Sequence, residues 1–162
     1  GYSYLLLNDT VDFLNIKEDI FDVHYMTFSN MQTAVDNQDV LNFRFFESGV
    51  LESASVYKYA FRRAGQGAND IQNTAISHIG TITETFNTVD ASGGQMYFYN
   101  LGNASRYSMS YKQSNNQINT NWRAEFGSGV LPQASLVDGI RLYSNSINYD
   151  NVTATLFGIK QI

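Results

Sequence analysis

The stretch from Arg106 to Lys112 constrains this chain most, because Tyr107, Met109 and Tyr111 alternate without fault with Ser108 and Ser110. A period of two sends successive side chains to opposite faces of an extended strand, whereas a helix would scatter them around its axis. The same period recurs along the sequence. Phe21, Val23 and Tyr25 alternate with Asp22, His24 and Met26. Leu41, Phe43 and Phe45 alternate with Asn42 and Arg44, and Tyr57, Tyr59 and Phe61 with Lys58 and Arg62. Taken alone, the pattern assigns Tyr57, Tyr59, Tyr107, Met109 and Tyr111 to the core and Ser108 and Ser110 to solvent.

Further strand signals fall at residues 2–7, 78–84, 95–100 and 121–126, with a weaker one, or a loop, at 11–16. The chain closes on two strands, one carrying Ile140, Arg141, Leu142 and Tyr143, the other running over 152–159, with a Ser/Asn-rich turn between them. Turn residues punctuate the rest. Gly49 sits in an expected hairpin loop at 47–53, Gly65 and Gly67 end a strand, and 89–94, 101–105 and 113–117 read as turns. Residues 127–132 read as a break that holds the single proline, Pro132. Residues 68–76 admit a helical turn. About nine to eleven short strands with one buried face predict an all-β fold, an antiparallel two-sheet β-sandwich of jelly-roll type. An up-and-down barrel is the alternative. The expected division is a strand or attachment arm at 1–18 and the sandwich at 19–162.

The 162 residues suffice for one core without cross-links, since a domain of this size buries roughly 70% of its unfolded surface. There is no cysteine, which removes disulfides, zinc–thiolate sites and cysteine nucleophiles. Charged residues make up only 15%, and net charge is −5. With ten scattered Lys and Arg, phosphate neutralisation is weak and nucleic acid is not an expected partner. No apolar run reaches the roughly 18–20 residues that cross a bilayer, so membrane insertion is not expected.

Chemistry is sparse. His24 and His78 lack partners at metal-ligand spacing and read as hydrogen-bonded strand residues. Glu47, Glu52, Glu84 and Glu125 are the acids that folding could pair as a glycosidase would need. Asx-rich stretches at 36–39, 67–70 and 148–151 lack the full pattern of a calcium loop and read as turns. No catalytic residue, metal ligand or cofactor is expected. The aromatic residues remain. Sugar-binding proteins lay Trp and Tyr rings against pyranose faces and surround them with Asn, Asp and Gln. Trp122, Tyr97, Tyr99, Tyr143 and Tyr149 are the candidate contacts for a glycan or a partner chain, Tyr149 lying in an expected exposed turn. Which of them solvent reaches decides their use, because Tyr also fills cores and interfaces.

Several segments resemble tailed-bacteriophage virion β-sandwich modules, of the kind found in capsid decorations and tail fibres. They are the strand at 21–28, the strand at 57–62 after a Ser-rich hairpin, and the break at 127–132. The closing runs Ile140-Arg141-Leu142-Tyr143 and Leu156-Phe157-Gly158-Ile159 complete the set. The resemblance covers most of residues 20–162. It implies a non-enzymatic structural role on the virion surface, with other virion proteins as partners. It also implies homo-oligomerisation, a trimer by analogy, and supplies no catalytic residues. The segment before about residue 18 departs from the pattern, as an attachment arm or a swapped strand would. Two functions follow as expectations: a structural part of the virion, or a host-recognition domain that binds a bacterial surface glycan.

Overall fold

The computed structural model describes residues 2–6, 10–33, 41–82, 92–118, 121–144 and 149–160. They form thirteen strands. In chain order these are β1 (Tyr2–Leu6), β2 (Thr10–Leu14), β3 (Val23–Thr33), β4 (Leu41–Glu47), β5 (Val50–Leu51), β6 (Tyr57–Gly65) and β7 (Asn69–Ile76). After them come β8 (Ile79–Ile82), β9 (Ser92–Tyr99), β10 (Tyr107–Ile118), β11 (Asn121–Ala134), β12 (Val137–Ser144) and β13 (Tyr149–Ile159). No helix among the described residues is long and apolar enough to cross a membrane.

The strands build the expected antiparallel two-sheet sandwich. The larger sheet has eight strands in the order β1-β13-β3-β9-β10-β11-β6-β7. The smaller runs β2-β12-β4-β5, with β8 also paired to β4. The core lies between them. Phe43 and Phe45 of β4 meet Phe98 of β9 edge-on, at centroid distances of 5.3 and 6.0 Å. All three rings are fully buried, and burial of each contributes roughly 1.5–3 kcal/mol. Tyr57 enters the same core because its hydroxyl is satisfied there. It accepts from the Phe45 amide at 2.9 Å and donates to the Glu52 carbonyl at 3.1 Å.

Local departures from the sequence reading have local causes. In the 68–76 stretch, residues from Asn69 on form a strand, β7, paired to β6. The expected turn at 113–117 is the continuation of β10, and the expected break at 127–132 lies inside β11. Pro132 is therefore in a strand. Leu131 pairs with Ser108 while Ala134 pairs with Tyr107, so Pro132 and Gln133 form a bulge beyond the last β6 partner, Val130. A missing N–H is tolerated in a bulge. Gly129 is a contact point: a Cβ there would sit 2.7 Å from the Ile79 side chain, which lets β8 pack directly on β11.

The largest departure is on β10. Tyr107, Met109 and Tyr111 point outward and are exposed, while Ser108, Ser110, Lys112, Ser114 and Asn116 are buried. Register dictates this. Ser110 pairs with Phe98 and Lys112 with Met96, and paired residues share a face. Phe98 and Met96 fill the core, so Ser110 and Lys112 must face it too. The fold accommodates Lys112 by giving its ammonium partners. Nζ donates to Glu125 Oε2 at 2.7 Å and to the Thr81 carbonyl at 2.8 Å, and lies 3.7 Å from the Phe61 ring centroid. Arg63 holds the other Glu125 oxygen at 3.2 Å.

Candidate functional site

The inversion of β10 leaves the outer face of the eight-stranded sheet unusually aromatic. Cross-strand register aligns its residues into rows. One row runs Phe157, Tyr25, Tyr97, Tyr111 and Ser128 across β13, β3, β9, β10 and β11. The next runs Thr155, Thr27, Gln95, Gln113, Phe126 and Arg62. On the other side of the aromatic row lie Ile159, Val23, Tyr99, Met109 and Val130. Tyr107, Trp122, Phe126, Met109, Tyr111, Phe157 and Ile159 are all exposed. This gathering of exposed apolar side chains makes the outer face the candidate site.

The rings fall into two kinds. Tyr25 packs on Tyr97 at 4.8 Å and is stacked with Phe157 at 6.1 Å; Tyr97 in turn is stacked with Tyr99 at 6.4 Å. These rings pack against one another. Trp122 is different. It is 57% exposed and borders a groove of about 520 Å³ whose opposite side is Tyr25.

Backbone irregularity carves this groove. A bulge in β3 between Phe28 and Met31 displaces Ser29 and Asn30, and Asn30 takes a φ of 54°. The displaced strand lies against Gly93 of β9, where a Cβ would approach the Phe28 carbonyl oxygen to 2.9 Å. Glycine inside a strand marks such a close approach. Of the expected turn at 89–94, Ser92 to Gly94 belong to β9, and the others lie outside the described residues. With no side chain at Gly93, a shallow floor opens between Ser29 and Asn115. The walls are polar and linked by hydrogen bonds. The Tyr25 hydroxyl donates to Gln95 Oε1 at 2.8 Å, and Gln95 Nε2 donates to Gln113 Oε1 at 3.3 Å. Asn115 Oδ1 accepts from the Gly93 amide at 3.1 Å.

Of the aromatic residues singled out by sequence, Trp122, Tyr97 and Tyr99 share this face. Tyr143 does not. It lies in β12 of the smaller sheet, buried at 8% exposure, with the Arg44 guanidinium 4.6 Å above its ring and His78 edge-on at 6.4 Å. Its ring face is already occupied. Tyr149 opens β13 opposite Thr33, inside a strand rather than in the expected turn; its side chain lies outside the described residues. Tyr25, Gln95, Gln113 and Gly93 are the groove residues that sequence reasoning missed. Their signal was the glycine pair at 93–94, read as a turn and not as a strand with a hole in it.

The titratable candidates lie elsewhere. His24 is buried with Nε2 2.9 Å from the Ile16 carbonyl; burial lowers its pKa, against smaller raising effects of that bond and of Glu18. Glu125 is spent on Lys112 and Arg63. Glu47 and Glu52 do come together. Burial raises the Glu47 pKa, a Ser135 hydrogen bond opposes this, and the Glu52 carboxyl adds to the rise. The Gln133 amide lies against both acids; with its nitrogen turned to them it would donate to both Glu47 oxygens at 3.0 Å and to Glu52 at 3.2 Å. Neither acid lines the groove. Glu84 lies outside the described residues, as do the 36–39 stretch and Asn148. Of residues 67–70, Gly67 and Ala68 lie in the connection from β6 to β7, and Asn69 and Asp70 open β7, paired with Arg63 and Arg62. No cluster of three metal-ligating His, Asp or Glu side chains occurs among the described residues.

No protein-family model matches the chain, and no curated protein matches it in sequence. The solved structures to which the chain is similar include three at low scores. The PL-14 alginate lyase from Aplysia kurodai matches 86% of this chain and 69% of its own, at 5% identity and a TM-score of 0.35. The CBM2 module of the evolved Dit of Lactobacillus casei BL23 phage J-1 matches 94% and 70%, at 6% identity and 0.25. The CBM40 of a Ruminococcus gnavus IT-sialidase, bound to α2,6-sialyllactose, matches 88% and 91%, at 7% identity and 0.22. Scores this low assign neither a fold family nor an activity.

Proposed function

We propose that the protein is a non-catalytic carbohydrate-binding β-sandwich that serves in the adsorption apparatus of a tailed-phage virion. One observation carries the binding half of this reading: the groove between Trp122 and Tyr25. An indole with an open face, a glycine floor and a fixed chain of amides and hydroxyls is the combination a sugar ring needs. Apolar CH groups pack on the ring while hydroxyls exchange hydrogen bonds with Gln and Asn. The virion half rests on the resemblance of the strands at 21–28 and 57–62 and of the closing runs around Tyr143 and Phe157. The test is adsorption of the labelled intact chain to candidate host bacteria, with extracted surface glycan as competitor. Saturable, glycan-competed adsorption that Trp122→Ala abolishes is the expected result. Adsorption by Trp122→Ala equal to that of the native chain would refute the assignment of the groove.

A specific observation favours a second, compatible reading as a multi-copy structural part. The Phe157, Tyr25, Tyr97 and Tyr99 rings pack against one another in one aromatic run across β13, β3 and β9, which suits a flat protein interface better than a sugar. Association through this half of the sheet would leave the Trp122 groove at its border.

A further inference from the structure

The groove carries more information than a capacity for sugar. Among the described residues, none that lines it is charged. Arg62, the nearby cation in the Gln113 row, is paired with Asp70 at 3.0 Å. The chain as a whole is acidic, at −5. A carboxylate moved from water into such a groove would lose hydration without gaining a counter-charge, and the net field would oppose its approach.

The hydrogen-bond chain has a direction. Tyr25 donates its proton to Gln95, and Gln95 donates to Gln113. The Gln113 amide nitrogen therefore remains a donor toward the groove, and the Tyr25 oxygen remains an acceptor at the other end. Neighbouring hydroxyls on one sugar ring present a donor and an acceptor together, which is the complement. The span from β3 to β11 covers three interstrand spacings, about 14 Å, longer than a single ring. Resting on the carbohydrate-binding reading above, we infer that the groove selects neutral oligosaccharides and rejects uronate- and sialate-bearing ones, with Gln113 as the donor that fixes the sugar's orientation.

Trp122 is the only tryptophan, so intrinsic indole fluorescence of the intact protein reports this groove and nothing else. The experiment is a fluorescence titration with neutral gluco-, manno- and galacto-oligosaccharides and, in parallel, with oligouronates and sialyllactose. Saturable change with at least one neutral series and none with the acidic ones is expected. Gln113→Ala, with unchanged thermal unfolding, is expected to weaken the neutral series about tenfold. Binding of acidic sugars equal to or tighter than neutral ones would overturn the selectivity while leaving the carbohydrate reading intact. Full neutral affinity in Gln113→Ala would overturn the role given to that amide. No response to any sugar of either class would overturn the carbohydrate reading itself, and this inference with it.

Discussion

Lys112→Met tests the inverted face of β10 most directly. The Lys112 ammonium is fully buried, and burial pushes its pKa down to about 8, with Glu125 opposing the fall and Arg63 adding to it. In the unfolded chain the same group titrates near 10.5. Between those values the unfolded state binds more protons, so stability rises with pH through this window and the contribution is complete above it. The gap corresponds to about 3 kcal/mol in full, of which about 1.5 kcal/mol falls between pH 8 and 9.5. Burial raises the pKa of Tyr57 well above its ordinary value and that of Tyr59 as well. Both favour the unfolded state as pH passes 10, so the window must close below that. Lys112→Met removes the slope. It also leaves Glu125 with Arg63 and deprives the Thr81 carbonyl of its 2.8 Å donor. Losing one member of a buried ionic cluster costs about 3–5 kcal/mol; the low end is expected at pH 7 because Arg63 stays. Urea unfolding at pH 7, 8, 9 and 9.5 measures both terms. The native protein should gain stability from pH 8 to 9.5 and the variant should not. A variant that keeps the rise, or that loses under 1 kcal/mol at pH 7, would refute the account of β10.

Trp122→Ala should leave stability within about 0.5 kcal/mol of native, because the side chain is exposed, while glycan affinity falls at least about tenfold, or 1.4 kcal/mol; denaturation and fluorescently labelled glycan binding give the two numbers. Phe98→Ala should cost about 3–5 kcal/mol, read from the urea midpoint, since Phe43 and Phe45 both rest on that ring. Gly129→Ala should destabilise through its clash with Ile79, and Ile79→Val in the same chain should recover part of the loss. If the aromatic half of the outer face joins copies, Met109→Lys should shift the sedimentation coefficient toward the monomer without lowering the melting temperature.

Periodicity made the strands legible, and the sheets followed from them. It could not assign the faces. On β6 the aromatic set, Tyr57 and Phe61, is the buried one; on β10 the equally regular set of Tyr107, Met109 and Tyr111 is the exposed one. The difference lies in partners remote in sequence. Cross-strand register turns Lys112 inward, Glu125 and Arg63 reach it there from β11 and β6, and no local window contains all three. Strand ends were hidden for a related reason. Gly127, Gly129 and Pro132 carry the composition of a break, yet here they provide close packing and a bulge within a continuous strand. Trp122 could be named as a candidate because Trp and Tyr rings are what sugars pack on, but its exposure could not be read, since such rings also fill cores and interfaces. The groove it borders was not, since a bulge at Ser29 and a missing side chain at Gly93 create it jointly from two strands.

The polarity of β10 is itself a reason to place function on the outer face. Serines, a lysine and an asparagine on a core-facing strand sacrifice apolar burial, and the three exposed side chains opposite them would stabilise the fold if exchanged inward. A sequence selected for stability alone would have kept Tyr107, Met109 and Tyr111 inside. Departures from local consistency concentrate where a protein meets its ligand or partner. The cost here is borne by the same strand that brings Gln113 and Asn115 to the groove. Lys112, two residues from Ser110 and adjacent to Gln113, faces inward in the same register that turns Gln113 and Asn115 outward.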